Sequence, residues 1–289
     1  MKILTKINNK ENICLYEKNT DGLILGLKDF SVGFDYTFSI DEIKKVVNKY
    51  VDKEIFVCMN KNMFNDELDL LEEKLVELNS IGIKGILFYD MSILYLKNKN
   101  NLSVDLVWNQ THMVTNYNTC NYYYDKGCKY AYISGEITLE EIIEIKEKCK
   151  SALLVEVVSH QIMSHSKRKL LTNYYNSIGK NYDGELKTIS EKNESYLVKE
   201  DNTGTIIKTG KILNGVPVVR NLVDSNIDYI VIDESEIERE LVSKSLELIN
   251  EVINNRNIDE NISLSYSLLG DNTSFFFKKT IYKVKKGDK

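Results

Sequence analysis

The amino-acid sequence predicts an α/β protein folded as a (β/α)8 barrel. Three observations carry the prediction: eight short apolar runs, helix-start chemistry between them, and one long interruption after the seventh run. The runs are Lys2–Lys6, Gly22–Leu27, Glu54–Cys58, Gly85–Tyr89, Val104–Trp108, Tyr130–Ser134, Ala152–Val158 and Tyr229–Asp233. They are rich in Ile, Val, Leu and Tyr, and mostly continuous rather than alternating. A strand covered on both faces, as in a parallel sheet wrapped by helices, requires that pattern.

The connections justify the helices. Ser39-Ile40-Asp41-Glu42 follows the second run, Thr138-Leu139-Glu140-Glu141 the sixth, and Ser235-Glu236-Ile237-Glu238 the eighth. Each is a capping box, in which the hydroxyl takes an orphan helix N–H and the glutamate takes that of the cap residue. Leu68, Leu71, Leu75 and Leu78 after the third run, and Ile142, Ile143 and Ile145 after the sixth, recur at helical spacing. A doubly wound sheet competes with the barrel, and the count of eight runs favours the barrel.

The interruption runs from Ser159 to Asp228, far longer than an ordinary βα loop. Inside it, Ser195–Glu200 and Thr205–Thr209 flank Asp201-Asn202-Thr203-Gly204, a hairpin signal. Pro217 suits the first position of a short helix ending near Val223. The domain reading is therefore one barrel, residues 1–258, with the insertion 159–228, followed by a basic tail, residues 259–289. A long helix near Glu236–Asn254 precedes the tail, which carries Phe275-Phe276-Phe277-Lys278-Lys279 and then Lys283, Lys285 and Lys286. Three adjacent phenylalanines predict that it docks on the barrel.

Composition bounds the function. In 289 residues, 43% are hydrophobic and 28% charged, enough for a sizeable core. A single proline excludes collagen-like and Pro-rich low-complexity readings. The net charge of −5 argues against a general polyanion binder, so nucleic-acid contact must rest on a local basic patch. No window approaches the roughly 18 apolar residues of a membrane span, and Met1–Asn8 lacks a signal-peptide core. The five cysteines, Cys14, Cys58, Cys120, Cys128 and Cys149, contain no C-x-x-C pair and read as reduced, mostly buried thiols. The expectation is a soluble cytoplasmic protein without membrane contact.

In a barrel, chemistry sits just past the strands, at their C-terminal ends. Those positions hold Lys28-Asp29-Phe30, Asn60-Lys61-Asn62, Asp90, Asn109-Gln110-Thr111, Gly135-Glu136, His160 and Asp233-Glu234. They form a polar basin, although a single Asp, Asn or Ser there also serves as a helix cap. Glu136 and Gln110 are longer and less natural caps. Glu136, Asp90 and Gln110 are the expected catalytic or ligand-orienting groups, with Asn60 beside them. Glu156, inside the seventh run, is expected to face the barrel interior in a structural role. His112, His160 and His165 share the rim, but no H-E-x-x-H spacing joins them and no metal set is read. Ser164–Tyr175 is the most unusual segment, with Lys167, Arg168 and Lys169 beside hydroxyls, Asn173 and two tyrosines. Lys167 and Arg168 suit an anion such as phosphate, and tyrosine can stack on a base. No G-x-S-x-G, Walker A or G-x-G-x-x-G motif is present.

These segments resemble the U32 peptidase (collagenase-like) family, in its short, cysteine-poor form. The resemblance rests on Gly26–Val32, Asn109-Gln110 with Asn116, Ser134–Leu139, Glu156 to Asn173, and Asp201–Thr205. It implies a barrel-type catalytic domain and brings Asn116, His160 and Asn173 into the substrate-binding set. It also implies two activities: collagen-degrading peptidases on one hand, and hydroxylation proteins acting on tRNA wobble uridine, ribosomal RNA or a quinone precursor on the other. Several of the latter hold an iron–sulfur cluster through cysteines after the seventh strand. Ser159 to Ser190 contains no cysteine here, so the chain is not expected to bind that cluster alone. Gly135 stands where the family usually has arginine. The readings are therefore a tRNA uridine hydroxylation component, with tRNA and a larger cysteine-bearing U32 paralogue as partners, a peptidase, or a non-catalytic subunit.

Overall fold

The computed structural model describes residues 1–192 and 194–278. Its chain opens with β1 (Lys2–Ile7), α1 (Ile13–Tyr16), β2 (Gly22–Gly26), α2 (Ile40–Lys49), β3 (Glu54–Met59) and α3 (Leu68–Ile81). Next come β4 (Gly85–Phe88), α4 (Met91–Lys99), β5 (Asp105–Trp108), α5 (Tyr117–Asp125), β6 (Tyr130–Tyr132), α6 (Leu139–Lys148) and β7 (Ala152–Ser159). The insertion supplies β8 (Ile162–Ser166), α7 (Leu170–Ser177), β9 (Lys187–Glu191), β10 (Glu194–Asp201), β11 (Gly204–Thr209), β12 (Leu213–Asn214) and α8 (Val219–Asp224). The eighth barrel strand is β13 (Tyr229–Asp233), followed by α9 (Arg239–Ile253) and α10 (Ile258–Leu269).

Parallel pairing runs from β1 through β6 in sequence order, then β6 to β7, β7 to β13 and β13 back to β1. That ring is the closed barrel, and each of the eight expected runs supplies one of its strands. Alternation divides the core in two. Leu4, Ile24, Phe56, Leu87, Val107, Leu154 and Val231 fill the interior. Their neighbours Ile3, Leu23, Ile55, Ile86, Leu106, Leu153 and Ile230 face outward against the helices. The continuous apolar runs are thus two alternating faces, both buried. Gly22 is required by close approach, since a Cβ there would stand 2.4 Å from the Glu54 carbonyl oxygen.

Two of the three capping boxes form. Glu42 N–H donates to Ser39 Oγ at 3.3 Å and Glu141 N–H to Thr138 Oγ1 at 3.2 Å, each returned by the glutamate. The third does not. α9 begins only at Arg239, after Glu238, without a side-chain cap. Ser235 is drawn elsewhere: its N–H donates to Asp233 Oδ1 at 3.0 Å, and its hydroxyl accepts from the buried Lys208 ammonium. A buried cation needs that oxygen more than an exposed helix end does.

The insertion builds a four-stranded antiparallel sheet in the order β8-β11-β10-β9. Its β10–β11 hairpin turns at Asn202-Thr203, as the sequence predicts, with Asp201 Oδ1 accepting from Thr203 N–H at 2.7 Å. Pro217 opens a 3-10 turn, Val216–Val218, that leads into α8. α10, in the stretch read as tail, is a helix packed on α9. Beyond it, Phe276 is buried and its carbonyl accepts from Leu139 N–H at 3.1 Å. Lys279, Lys283, Lys285 and Lys286 lie outside the described residues. Among the described residues, no helix is long and apolar enough to cross a membrane.

Phe56 is fully buried at the barrel centre, edge-on to Tyr130 and Tyr229. Phe56→Ala is expected to cost about 3–5 kcal/mol, read as a lower denaturant midpoint with unchanged slope.

Candidate functional site

The inner face turns polar at the C-terminal end of the barrel. Two residues beyond Leu4, Phe56, Tyr130, Leu154 and Val231 stand Lys6, Cys58, Tyr132, Glu156 and Asp233. These five form the floor of a cavity of about 190 Å³, walled by Asn60, Asn109, Glu136, His160, Gln161 and Phe275 among others. These five strands therefore each contribute one inner-face residue to the packed interior and the next to the mouth.

Lys6 Nζ lies 2.6 Å from Asp233 Oδ2 and donates to the Gly33 carbonyl at 3.0 Å. Burial opposes its charge, but the Asp233 carboxylate outweighs that and raises its pKa above the ordinary value. Asp233 also accepts from Asn8 Nδ2 at 2.9 Å. Across the floor, Tyr132 OH donates to Glu156 Oε2 at 2.6 Å and Ser159 Oγ donates to Glu156 Oε1. Burial, then the nearby charge of Asp233, push the Glu156 pKa upward despite these hydrogen bonds. Burial and the Glu156 charge raise the Tyr132 phenol, and burial, helped by the Asp233 charge and opposed by Lys6, lifts the Cys58 thiol to about 12.

His160 is buried, and its Nδ1 lies 2.8 Å from the Thr209 carbonyl. A carbonyl only accepts, so Nδ1 carries the proton. Burial lowers the ring's pKa, leaving Nε2 of the neutral ring as an acceptor. Glu136 is exposed at the rim, its Oε2 3.1 Å from His112 Nδ1.

Of the residues singled out from sequence, Asn60, Glu136 and His160 line the cavity. The Asn60 amide is also committed to Val32, accepting from its N–H at 2.8 Å and donating to its carbonyl at 3.1 Å. Asp90 caps α4 through Ser92 N–H and holds Met63 N–H at 2.8 Å. Gln110 accepts from Trp108 Nε1 and donates to the Tyr89 carbonyl at 2.7 Å. Asn116 caps α5. These last three brace the loops around the mouth and do not line the cavity.

The cationic segment lies over the same end of the barrel. Lys167 Nζ donates to the Asn62 carbonyl at 2.7 Å and stands 3.5 Å from the centroid of the exposed Phe64 ring. Arg168 is exposed and makes its described hydrogen bonds through the backbone, to Ser166 Oγ and from Thr205 Oγ1. Asn173 is exposed on α7. Neither Arg168 nor Asn173 lines the cavity. Sequence reading passed over Lys6, Tyr132, Ser159 and Gln161. For Lys6 and Tyr132 the signal was present: a polar side chain two residues past an inward-facing one near a strand's end.

Cys58 faces the cavity, whereas Cys120 and Cys128 pack in the outer core and Cys14 is exposed. Among the described residues, no three or more His, Cys, Asp or Glu converge as metal donors.

The family model for peptidase family U32 matches residues 9–280. The chain belongs to peptidase family U32. This U32 protein is 26% identical over 304 residues to tRNA hydroxylation protein P2 of Bacillus subtilis, covering 97% of this chain and 98% of that one. It is 24% identical over 222 residues to tRNA hydroxylation protein P of Helicobacter pylori, covering 72% of this chain and 50% of the relative. The solved structure of a U32 peptidase superposes with a TM-score of 0.52 at 11% identity, covering 81% of this chain and 92% of the other. That likeness agrees with the barrel fold.

The raised pKa of Glu156 has a stability consequence. The folded state holds this proton more tightly than the unfolded chain, whose value is near 4.5. The contribution is therefore full below that pH and is lost as pH rises through the folded value. The melting temperature of wild type minus that of Glu156→Gln is expected to fall between acid and neutral pH, checked by calorimetry across that range.

Proposed function

We propose that this U32 protein acts in the hydroxylation of a tRNA uridine, receiving the base in the barrel mouth while the rim holds the RNA backbone. The observation that carries the reading is the separation of charge. Cavity cation Lys6 is paired with Asp233, and the other floor groups, Tyr132 and Glu156, offer hydrogen bonds rather than positive charge. Lys167, Arg168 and Lys169 lie outside the cavity lining, and Lys167 stands over the exposed Phe64 ring. A phosphate is attracted to the rim and a neutral base to the interior. The near full-length match to a tRNA hydroxylation protein supports the same substrate class.

In this reading the chain's own residues bind and orient. An extruded base loses stacking but gains hydrogen bonds from a prearranged floor. Tyr132 and Glu156 hold each other in place, so either can meet the base without reorganising. His160 presents a neutral acceptor. The thiols do not fit the cluster carried by cysteine-bearing relatives, so the redox chemistry is assigned to a larger U32 paralogue as partner, together with which this chain works.

The family name points to peptidases, but among the described hydrogen bonds none joins a histidine to a serine or cysteine, one common way of activating a nucleophile. The buried Lys208–Ser235 pair lies outside the cavity lining.

Deleting the gene and digesting total tRNA for mass spectrometry tests the proposal. The 5-oxygenated uridines are expected to fall and to return with the wild-type gene. Complementation by Tyr132→Phe or Glu156→Gln is expected to restore at most about a tenth of the wild-type level, a loss near 1.4 kcal/mol. Unchanged 5-oxygenated uridines in the deletion strain overturn the reading, and gelatin hydrolysis by repurified protein that disappears in Glu136→Ala replaces it with the peptidase.

A further inference from the structure

Gly135 and Gln161 meet at one corner of the mouth, next to Phe275 from the segment after α10. A Cβ on Gly135 would stand 2.3 Å from Gln161 Nε2. The glutamine amide thus fills the space that a side chain at position 135 would occupy. Gly135 is not among the positive-φ glycines, so what its missing side chain provides there is room rather than backbone freedom.

Gln161 is held firmly from behind. Its N–H donates to Thr209 Oγ1 at 3.0 Å, and its carbonyl accepts from Thr209 N–H at 2.9 Å. Thr209 ends β11 in the insertion sheet, and Gln161 lies between β7 and β8. The backbone is fixed where barrel and insertion join, while the side chain lies against the cavity. Three nearby amides are already committed, Asn60 to Val32, Gln110 to Trp108 and Tyr89, and Asn8 to Asp233 and Asp35, whereas Asn109 in the same wall has only its backbone N–H engaged, on the Phe88 carbonyl. The Gln161 side-chain amide makes no hydrogen bond among the described residues, and the residue lines the cavity.

A primary amide offers a donor and an acceptor side by side, and the N3–H and C4=O of uracil offer the complementary pair. Phe275 supplies an aromatic wall at the same corner, suited to a base ring. We propose that Gln161 determines specificity by pairing with the amide edge of the base, in the slot that Gly135 leaves open. The inference rests on the RNA reading above and deepens it by naming the residue that recognises the base. Gln161 touches the base but takes no part in bond making.

The test measures binding by the full chain to a short stem-loop RNA with one loop uridine, and to the same RNA carrying 3-methyluridine there. The methyl group removes the N3 donor. Wild type is expected to bind the uridine RNA about tenfold more tightly, the usual effect of leaving a polar partner unpaired in such a site. Gln161→Ala should shrink that preference to less than about twofold. Gly135→Ala, whose new methyl group displaces the amide, should do the same by a different route. Circular dichroism confirms that both variants fold. A preference that survives in both variants, or its absence from wild type, overturns the role of Gln161 while leaving RNA binding standing. If neither RNA binds wild type, the tRNA reading falls, and the inference with it.

Discussion

The ion pair between Lys6 and Asp233 holds the mouth together. It joins the first and last strands of the barrel where they close the ring, at 2.6 Å and almost out of reach of solvent. A buried pair contributes little net stability against an apolar substitute, but losing one partner is costly because a bare charge remains. Its value here is positional. Lys6 also reaches the Gly33 carbonyl in the loop after β2, and Asp233 gathers Asn8 and the Ser235 N–H. Three segments distant in sequence are thereby fixed around one pair of charges, and Glu156 is left beside them in an environment that favours its proton.

The insertion depends on that frame. Its sheet rests on loops that the barrel has already ordered: Lys199 pairs with Asp35 at 2.5 Å and with Glu236 at 3.4 Å, and Lys167 reaches Asn62. Within the insertion, Glu200 accepts from Leu171 N–H, Thr172 N–H, Thr172 Oγ1 and Thr205 Oγ1, locking α7 to the sheet. The cationic segment is thus held over the mouth by polar contacts at three loops. Rim and cavity form a single surface with two chemistries.

The architecture was legible in the sequence because burial on both faces leaves continuous apolar runs, and because Ser39 and Thr138 are true caps. Ser235 misled because spacing alone cannot register a tertiary competitor, here the Lys208 ammonium. The candidate site was half legible. Asn60 and His160 follow their strands immediately, Glu136 a few residues on, and all three line the cavity. Asp90 and Gln110 stand two residues past theirs, yet brace loops, as does Asn116 at the cap of α5. Lys6 and Tyr132 sit inside strands, where a polar residue looks like an interruption of the core, whereas Asp233 reads as a rim position and Glu156 as facing the interior. Only the alternation of inner and outer faces shows that they share one floor. Gln161 had no local signal at all, since its place depends on the empty volume over Gly135.

Ser274 and Phe275 lie in the wall of the cavity, yet they leave the ribosome after every barrel strand. The barrel can close and bury its core before this wall exists, so folding and completion of the mouth are separate events in time. A chain interrupted shortly after α9 would emerge with its barrel strands intact and an unfinished mouth. Completion of the mouth thereby waits for the segment after α10, even though every barrel strand precedes it.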